Sequence, residues 1–190
     1  MRTSWNQLHT EIGACEKCRL CQTRTNVVPG EGDPNADLMF IGEGPGRDED
    51  LQGRPFVGRS GELLTRMIRA IGLEREQVYI CNVVKCRPPQ NRNPEPDEAA
   101  ACINYLRAQV ALVRPRVIVL LGKVACRYTL NQDISVMRDH GKWFERKGVW
   151  FMPTYHPSAL LRDPTKKRDA WEDFQKIREK LSELEMEKDT

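Results

Sequence analysis

Seven cysteines are distributed through 190 residues, and three of them, Cys15, Cys18 and Cys21, form a C-x2-C-x2-C run. Cys86 stands in KCRPPQNRNP, where an apolar segment gives way to a proline-rich loop, and Cys102 stands in the helical DEAAACINYLRAQV that follows. Close-spaced cysteines with two distant ones are a ligand set for zinc or for an iron–sulfur cluster, and spacing does not choose between them. Cys81 and Cys126 lie within apolar segments and read as small core residues. A second group begins where Leu38-Met39-Phe40-Ile41 runs into Gly42-Glu43-Gly44-Pro45-Gly46. Such a loop at the carboxyl end of a strand in an open α/β sheet is where ligands bind. Asp48, Glu49 and Asp50 follow, and then Phe56 in RPFVG, an aromatic on a glycine-flanked loop suited to stacking on a planar ligand. Asn82 closes the apolar YICN, where a buried amide is costly unless its hydrogen bonds are made. His156 follows the apolar 149–153 run, ahead of a proline.

The remaining sequence supplies the elements that must hold these groups. Leu38 to Ile41, Val78 to Val84, Val117 to Leu121 and Val149 to Pro153 read as buried strands. Helices are expected from Ser4 to Ile12, over Leu63 to Ile71 with Ser60 as N-cap, and through Ala99 to Val113 until Pro115. Two more are expected, from Gly122 to Leu130 and from Lys166 to Glu185, the last burying Trp171, Phe174, Ile177, Leu181 and Leu184. Alternating strands and helices imply one α/β domain over residues 1–190, with a parallel sheet covered on both faces. Carboxyl ends of parallel strands share an edge, so Glu43, Asn82 and His156 should converge there. No apolar run reaches the roughly 18 residues of a membrane span, and the amino terminus lacks the apolar core of a signal peptide. A cytoplasmic protein is expected, and in that compartment the cysteines stay reduced. Thirty Lys and Arg against 27 Asp and Glu give a net charge of +3, too even a balance to announce a nucleic-acid partner. The basic residues nonetheless gather at Arg138, Lys142, Arg146 and Lys147, and again at Arg162, Lys166, Lys167 and Arg168.

GEGPGRDED, GRPFVG, the strand bearing Asn82 and HPSALL resemble, in this order, the motifs of the uracil-DNA glycosylases. The C-x2-C followed by KCRPP and a helical cysteine resembles the family 4, iron–sulfur type, and the likeness runs from Cys15 to Leu161. It implies a three-layer α/β fold with a four-stranded parallel sheet flanked by helices, and an N-terminal cluster-binding segment. The activity it implies is repair of uracil-containing DNA: flipping the base into a pocket and hydrolysing its N-glycosidic bond. Under that resemblance Phe56 stacks on uracil, Asn82 reads O4 and N3–H, and His156 donates toward O2 as the anion leaves. Gly42, Glu43 and Gly44 shape the pocket floor, and Glu49 crowds ring C5 against thymine's methyl. Leu160 and Leu161 would wedge into the vacated stack, while Arg162, Lys166 and Lys167 would hold phosphate. Cys15, Cys18, Cys86 and Cys102 would ligate a 4Fe–4S cluster, and a monomer is expected.

The chain departs from the family pattern at one catalytic position. The best-known glycosylases place an aspartate in the first motif to orient water, and Gly44 stands there instead. Leaving-group stabilisation with an unassisted water, and Glu43 in support, is the expected compensation. Cys21 leaves the N-terminal ligand pair open to a swap. The loop Pro88 to Pro94 holds no histidine, which argues for turnover rather than covalent capture of the product. The competing reading is a non-catalytic iron–sulfur protein on the same fold that binds DNA or senses redox state.

Overall fold

Apolar runs too short for helices become the inner strands of a sheet. In a computed structural model, which describes residues 4–130 and 133–188, the order along the chain is α1 (Trp5–Gly13), β1 (Glu31–Gly32), β2 (Leu38–Gly42), α2 (Arg47–Gln52) and α3 (Arg59–Ala70). These are followed by β3 (Tyr79–Asn82), α4 (Pro96–Val113), β4 (Val117–Leu121), α5 (Lys123–Leu130) and α6 (Val136–Asp139). The chain ends with β5 (Phe144–Arg146), β6 (Val149–Thr154), α7 (Pro157–Arg162) and α8 (Lys167–Lys188).

The strands lie in the order β1-β3-β2-β4-β6-β5. β3, β2, β4 and β6 are parallel, so the four strands expected from sequence form the inner sheet. β1 and β5 add antiparallel edges that the sequence did not announce. They are two and three residues long, with no apolar run to mark them, as edge strands commonly are. Alternate residues of each inner strand face opposite layers. Ile41, Cys81, Ile118 and Leu120 pack with Leu8 and Ile12 of α1, Leu106 of α4 and Cys126 of α5. Phe40, Ile80, Val119 and Met152 pack with Leu64 and Ile68 of α3 and Phe174 and Ile177 of α8. Both faces are thus covered, which is why these strands read as continuous apolar runs.

Three local expectations change. α3 starts at Arg59 with Gly58 as N-cap, so Ser60 lies inside the helix. Gly58 makes no side-chain cap, and its own N–H is instead taken by the Glu49 carboxylate at 3.0 Å. Trp171 is 39% exposed, because the buried stripe of α8 runs through Phe174, Ile177 and Leu184 instead. HPSALL continues into a short helix, α7, with Pro157 at its first position, where a missing N–H costs nothing. No helix among the described residues is long and apolar enough to cross a membrane.

The chain passes from β2 outward to β3 and then returns across β2 to β4. The order therefore switches direction beside β2, and the loops after β2 and β4 diverge there. That divergence opens a crevice at the carboxyl edge of the sheet.

Candidate active site

The crevice is a cavity of about 520 Å³ lined by residues following all four inner strands. Glu43 and Gly44 follow β2, Asn82 ends β3, Gly122 follows β4, and Tyr155 and His156 follow β6. Glu49 and Phe56 complete the wall from the loops around α2. Of the residues singled out from sequence for base recognition, all but Gly42 therefore meet in one place.

Phe56 is 5% exposed, and its ring lies 5.5 Å from that of His156. Its backbone is left-handed, φ 49°, a conformation that costs a bulky residue energy. Arg75 stabilises it by donating to the Phe56 carbonyl at 3.0 Å, and the same guanidinium pairs with Glu31 on β1 at 2.8 Å. Nothing in the local sequence points to Arg75, which acts from a separate loop. Gly42 lies behind the ring, where a Cβ would stand 2.6 Å from Phe56 Cζ and closer still to Asn82 Oδ1. It does not line the cavity; its bare Cα lets the aromatic and the amide approach.

Asn82 is 1% exposed, and its Oδ1 is a buried oxygen with no hydrogen-bond partner. A purely structural amide would be satisfied, so an orphan acceptor at the cavity wall marks a place for a ligand donor. His156 is N-cap of α7, and its Nδ1 accepts from the Ser158 N–H at 3.1 Å, with Ser158 Oγ at 2.8 Å. That backbone donor makes Nδ1 the acceptor and leaves the proton on Nε2. Burial, and then the nearby Arg162 guanidinium, lower the imidazole pKa to about 4. His156 is thus a neutral ring presenting an N–H donor. Ser158 was not singled out from sequence, although a hydroxyl two residues into a helix is a known local cap.

Burial raises the Glu43 carboxyl above its ordinary value, against the pull of Arg162. A Cβ at Gly44 would lie 2.8 Å from Val84 Cγ2, so Val84 occupies the space an acid there would need. Glu49 does more than face the cavity. Its two oxygens accept from the N–H groups of Gly46 at 3.1 Å and of Val57 and Gly58 at 3.0 Å. The carboxylate staples the glycine loop to the phenylalanine loop.

The residues expected to face DNA divide. Arg162 and Lys166 line the cavity mouth, with Lys166 3.5 Å from Asp163, while Lys167 is exposed at the start of α8. Leu161 is half-buried, but Leu160 is 1% exposed and packs with Leu63, Tyr155 and Ala170. Leu160 is core here, because α7 turns that face toward α3. Arg92, in the loop after β3, and the 65%-exposed Met137 of α6 also reach the cavity rim; a lone loop residue and a four-residue helix carry no periodic signal in sequence. Arg138 and Lys142 both pair with Asp139, so part of the first basic cluster is neutralised locally.

On the far side of β3, Cys15, Cys18, Cys21, Cys86 and Cys102 line a second, small cavity, walled by Ile12, Ala101 and Tyr105. All seven cysteines are free thiols. Burial pushes the Cys86 thiol up to about 11 and also raises Cys102 and Cys18. Arg24 donates to Cys86 Sγ at 3.3 Å, and the Lys85 N–H to Cys102 Sγ at 3.3 Å. No three His, Cys, Asp or Glu side chains among the described residues are closed around a single metal ion. The chemistry of the donor set, soft thiols under one guanidinium and one main-chain donor and among apolar walls, fits a thiolate-ligated cluster. Cys81 and Cys126 are fully buried in the core, as their settings imply.

Known proteins resemble this chain over most of its length. Residues 29–179 match the model of the uracil DNA glycosylase superfamily. A type-4 uracil-DNA glycosylase of Sulfurisphaera tokodaii is 49% identical over 93% of this chain and 84% of its own. Enzymes of the same description from Archaeoglobus fulgidus and Thermotoga maritima are 46% identical over 93% of this chain and 92% of their own, and 48% over 88% and 89%, respectively. The matched region contains every strand of the sheet and the pocket at its edge, and the chain belongs to the uracil DNA glycosylase superfamily.

Proposed function

We infer that this protein is a DNA repair enzyme that excises uracil, hydrolysing the N-glycosidic bond of the flipped nucleotide and leaving an abasic site. One observation carries the reading: an aromatic wall, an orphan amide oxygen and a neutral imidazole face a single cavity. Uracil N3–H donates to Asn82 Oδ1, and uracil O4 accepts from the Asn82 amide. Cytosine offers the reverse pattern at both atoms, so it would leave buried groups unpaired. Phe56 covers the ring face. As uracil departs as an anion, charge grows on O2, where the His156 Nε2–H donor is already placed and needs no proton from solvent. Glu43, partly desolvated beside Arg162, is the acid closest in sequence to the missing aspartate, and it supports the attacking water. Glu49 bars thymine's methyl while holding the two loops together.

Leu161, Arg162, Lys166 and Lys167 form the DNA-facing edge, with Leu161 alone left as wedge. Cys15, Cys18, Cys86 and Cys102 hold a 4Fe–4S cluster, which supplies a structural cross-link between the N-terminal segment, the loop after β3 and α4. Free thiols throughout suit a reducing, cytoplasmic setting. A monomer with a single domain suffices, because one chain provides every group named. The test is incubation with an oligonucleotide carrying one uracil, followed by alkali. Strand cleavage at that position, without added divalent metal, is the expected result. Retained DNA binding with intact strands after prolonged enzyme excess would give the case to the non-catalytic reading that Gly44 invites.

A further inference from the structure

Lys85 is the most deeply buried cation among the described residues. It is 1% exposed and has no carboxylate partner among them. Its Nζ donates to the Asn82 carbonyl at 2.6 Å and to Gln109 Oε1 at 2.6 Å. Gln109, itself fully buried, is held by donating to the Pro29 carbonyl at 2.7 Å and to Tyr79 Oη at 3.2 Å. Both acceptors of the lysine are neutral, and a buried ammonium with only neutral partners is costly unless negative charge lies nearby. The thiol cavity lies beside it, and its sulfurs would carry that charge once ligated as thiolates. Lys85 lines it, and its own N–H donates to Cys102 Sγ at 3.3 Å.

One residue therefore touches both sites. Its side chain grips the carbonyl of the residue that reads the base, and its backbone grips a thiol of the cradle. β3 ends at Asn82, with main-chain bonds from Val83 to the Gly42 carbonyl and from Val84 to the Glu43 carbonyl continuing beyond it, and there the amide must be held to a fraction of an ångström. We propose that Lys85 is a positioning residue that anchors Asn82 against the thiol cradle, and that its charge is balanced by the ligated thiolates. The inference rests on the glycosylase reading above. It makes the cluster more than a distant staple: the end of β3 and the cluster share one counter-charge.

The experiment uses the purified, cluster-bearing protein and two variants, Lys85→Met and Gln109→Glu, each compared with the parent. Two quantities are read: the midpoint potential of the cluster, and single-turnover uracil excision alongside affinity for abasic product DNA. Removing a buried positive charge and leaving the hydrogen bond to one sulfur intact should move the potential of Lys85→Met to more negative values. Excision should fall about tenfold or more, the scale of one buried hydrogen bond lost from a placed group, with product affinity unchanged within about twofold. Gln109→Glu is nearly isosteric and keeps the lysine, so it covers the case in which Lys85→Met fails to fold. Its carboxylate neutralises the ammonium locally, and the potential should shift in the same direction while excision falls less. A potential at the parent value in whichever variant folds overturns the proposal, as does parent-rate excision by Lys85→Met. Failure of the parent itself to release uracil removes the glycosylase reading and this inference together, whereas a working parent with an equally active Lys85→Met removes the inference alone.

Discussion

His156→Ala should separate rate from binding. The imidazole is held by Ser158 through Nδ1 and is neutral down to about pH 4, so its contribution is a fixed N–H donor. Loss of one donor aimed at a developing oxyanion costs about 10²–10³ in rate, or about 2.7–4 kcal/mol. The donor strengthens its bond only as charge moves onto the base, so affinity for uracil-containing DNA should change by less than about threefold. Single-turnover excision on a uracil oligonucleotide, with enzyme in excess, is the assay, run from pH 4 to 8. The folded value lies below the ordinary imidazole value, so acid between the two charges the unfolded ring but not the folded one. The ring's contribution to stability is therefore complete above the ordinary value, and it is lost as pH falls toward about 4. The rate attributable to His156 should show no inflection in the ordinary histidine range and should decline only near pH 4. A His156→Ala enzyme with the parent rate, or a parent profile that bends near the ordinary histidine value, would refute the reasoning.

Asn82→Asp should lose most uracil excision, because an acceptor then faces O4, and matched uracil and cytosine oligonucleotides measured from pH 5 to 8 check it; parent-rate uracil release would show that this residue does not read the base. Leu160→Ala should destabilise the protein by about 2–5 kcal/mol in denaturant unfolding, since it empties a filled core site. Leu161→Ala, at the half-buried margin of the same cluster, should cost less, about 1 kcal/mol, yet weaken excision from duplex more than from single strands; equal stability losses for the two would contradict their assigned places. Serine at Cys15, Cys18, Cys86 or Cys102 should abolish the cluster's visible absorbance, whereas serine at Cys21, Cys81 or Cys126 should retain it. A bleached Cys21→Ser with a coloured Cys18→Ser would move the ligand set by one position.

What the sequence alone determined is the part set by local composition and period. Four apolar runs had to be buried strands, and the segments between them had helical period, so a parallel core with covered faces followed. In such a core the carboxyl ends share an edge, and Glu43, Asn82 and His156 had to meet there. Phe56 was legible because its loop is built of glycine and proline. Tertiary structure decided whatever depends on partners distant in sequence or on which way a short helix rolls. β1 and β5 form only because β3 and β6 offer open edges to pair with. Leu160 and Leu161 are adjacent and chemically alike, yet α7 rolls one into the core and leaves the other half-buried. Glu49 was expected only to crowd the base ring, and its stapling of two loops became visible once they were folded against it. Arg75 carries no motif, and Lys85 opens KCRPP, a segment that draws notice for its cysteine rather than its lysine. Each matters because the fold places a backbone carbonyl of the base pocket within its reach, at 3.0 Å for the Phe56 carbonyl and 2.6 Å for that of Asn82, and main-chain carbonyls are the same for every residue and so leave no trace in sequence.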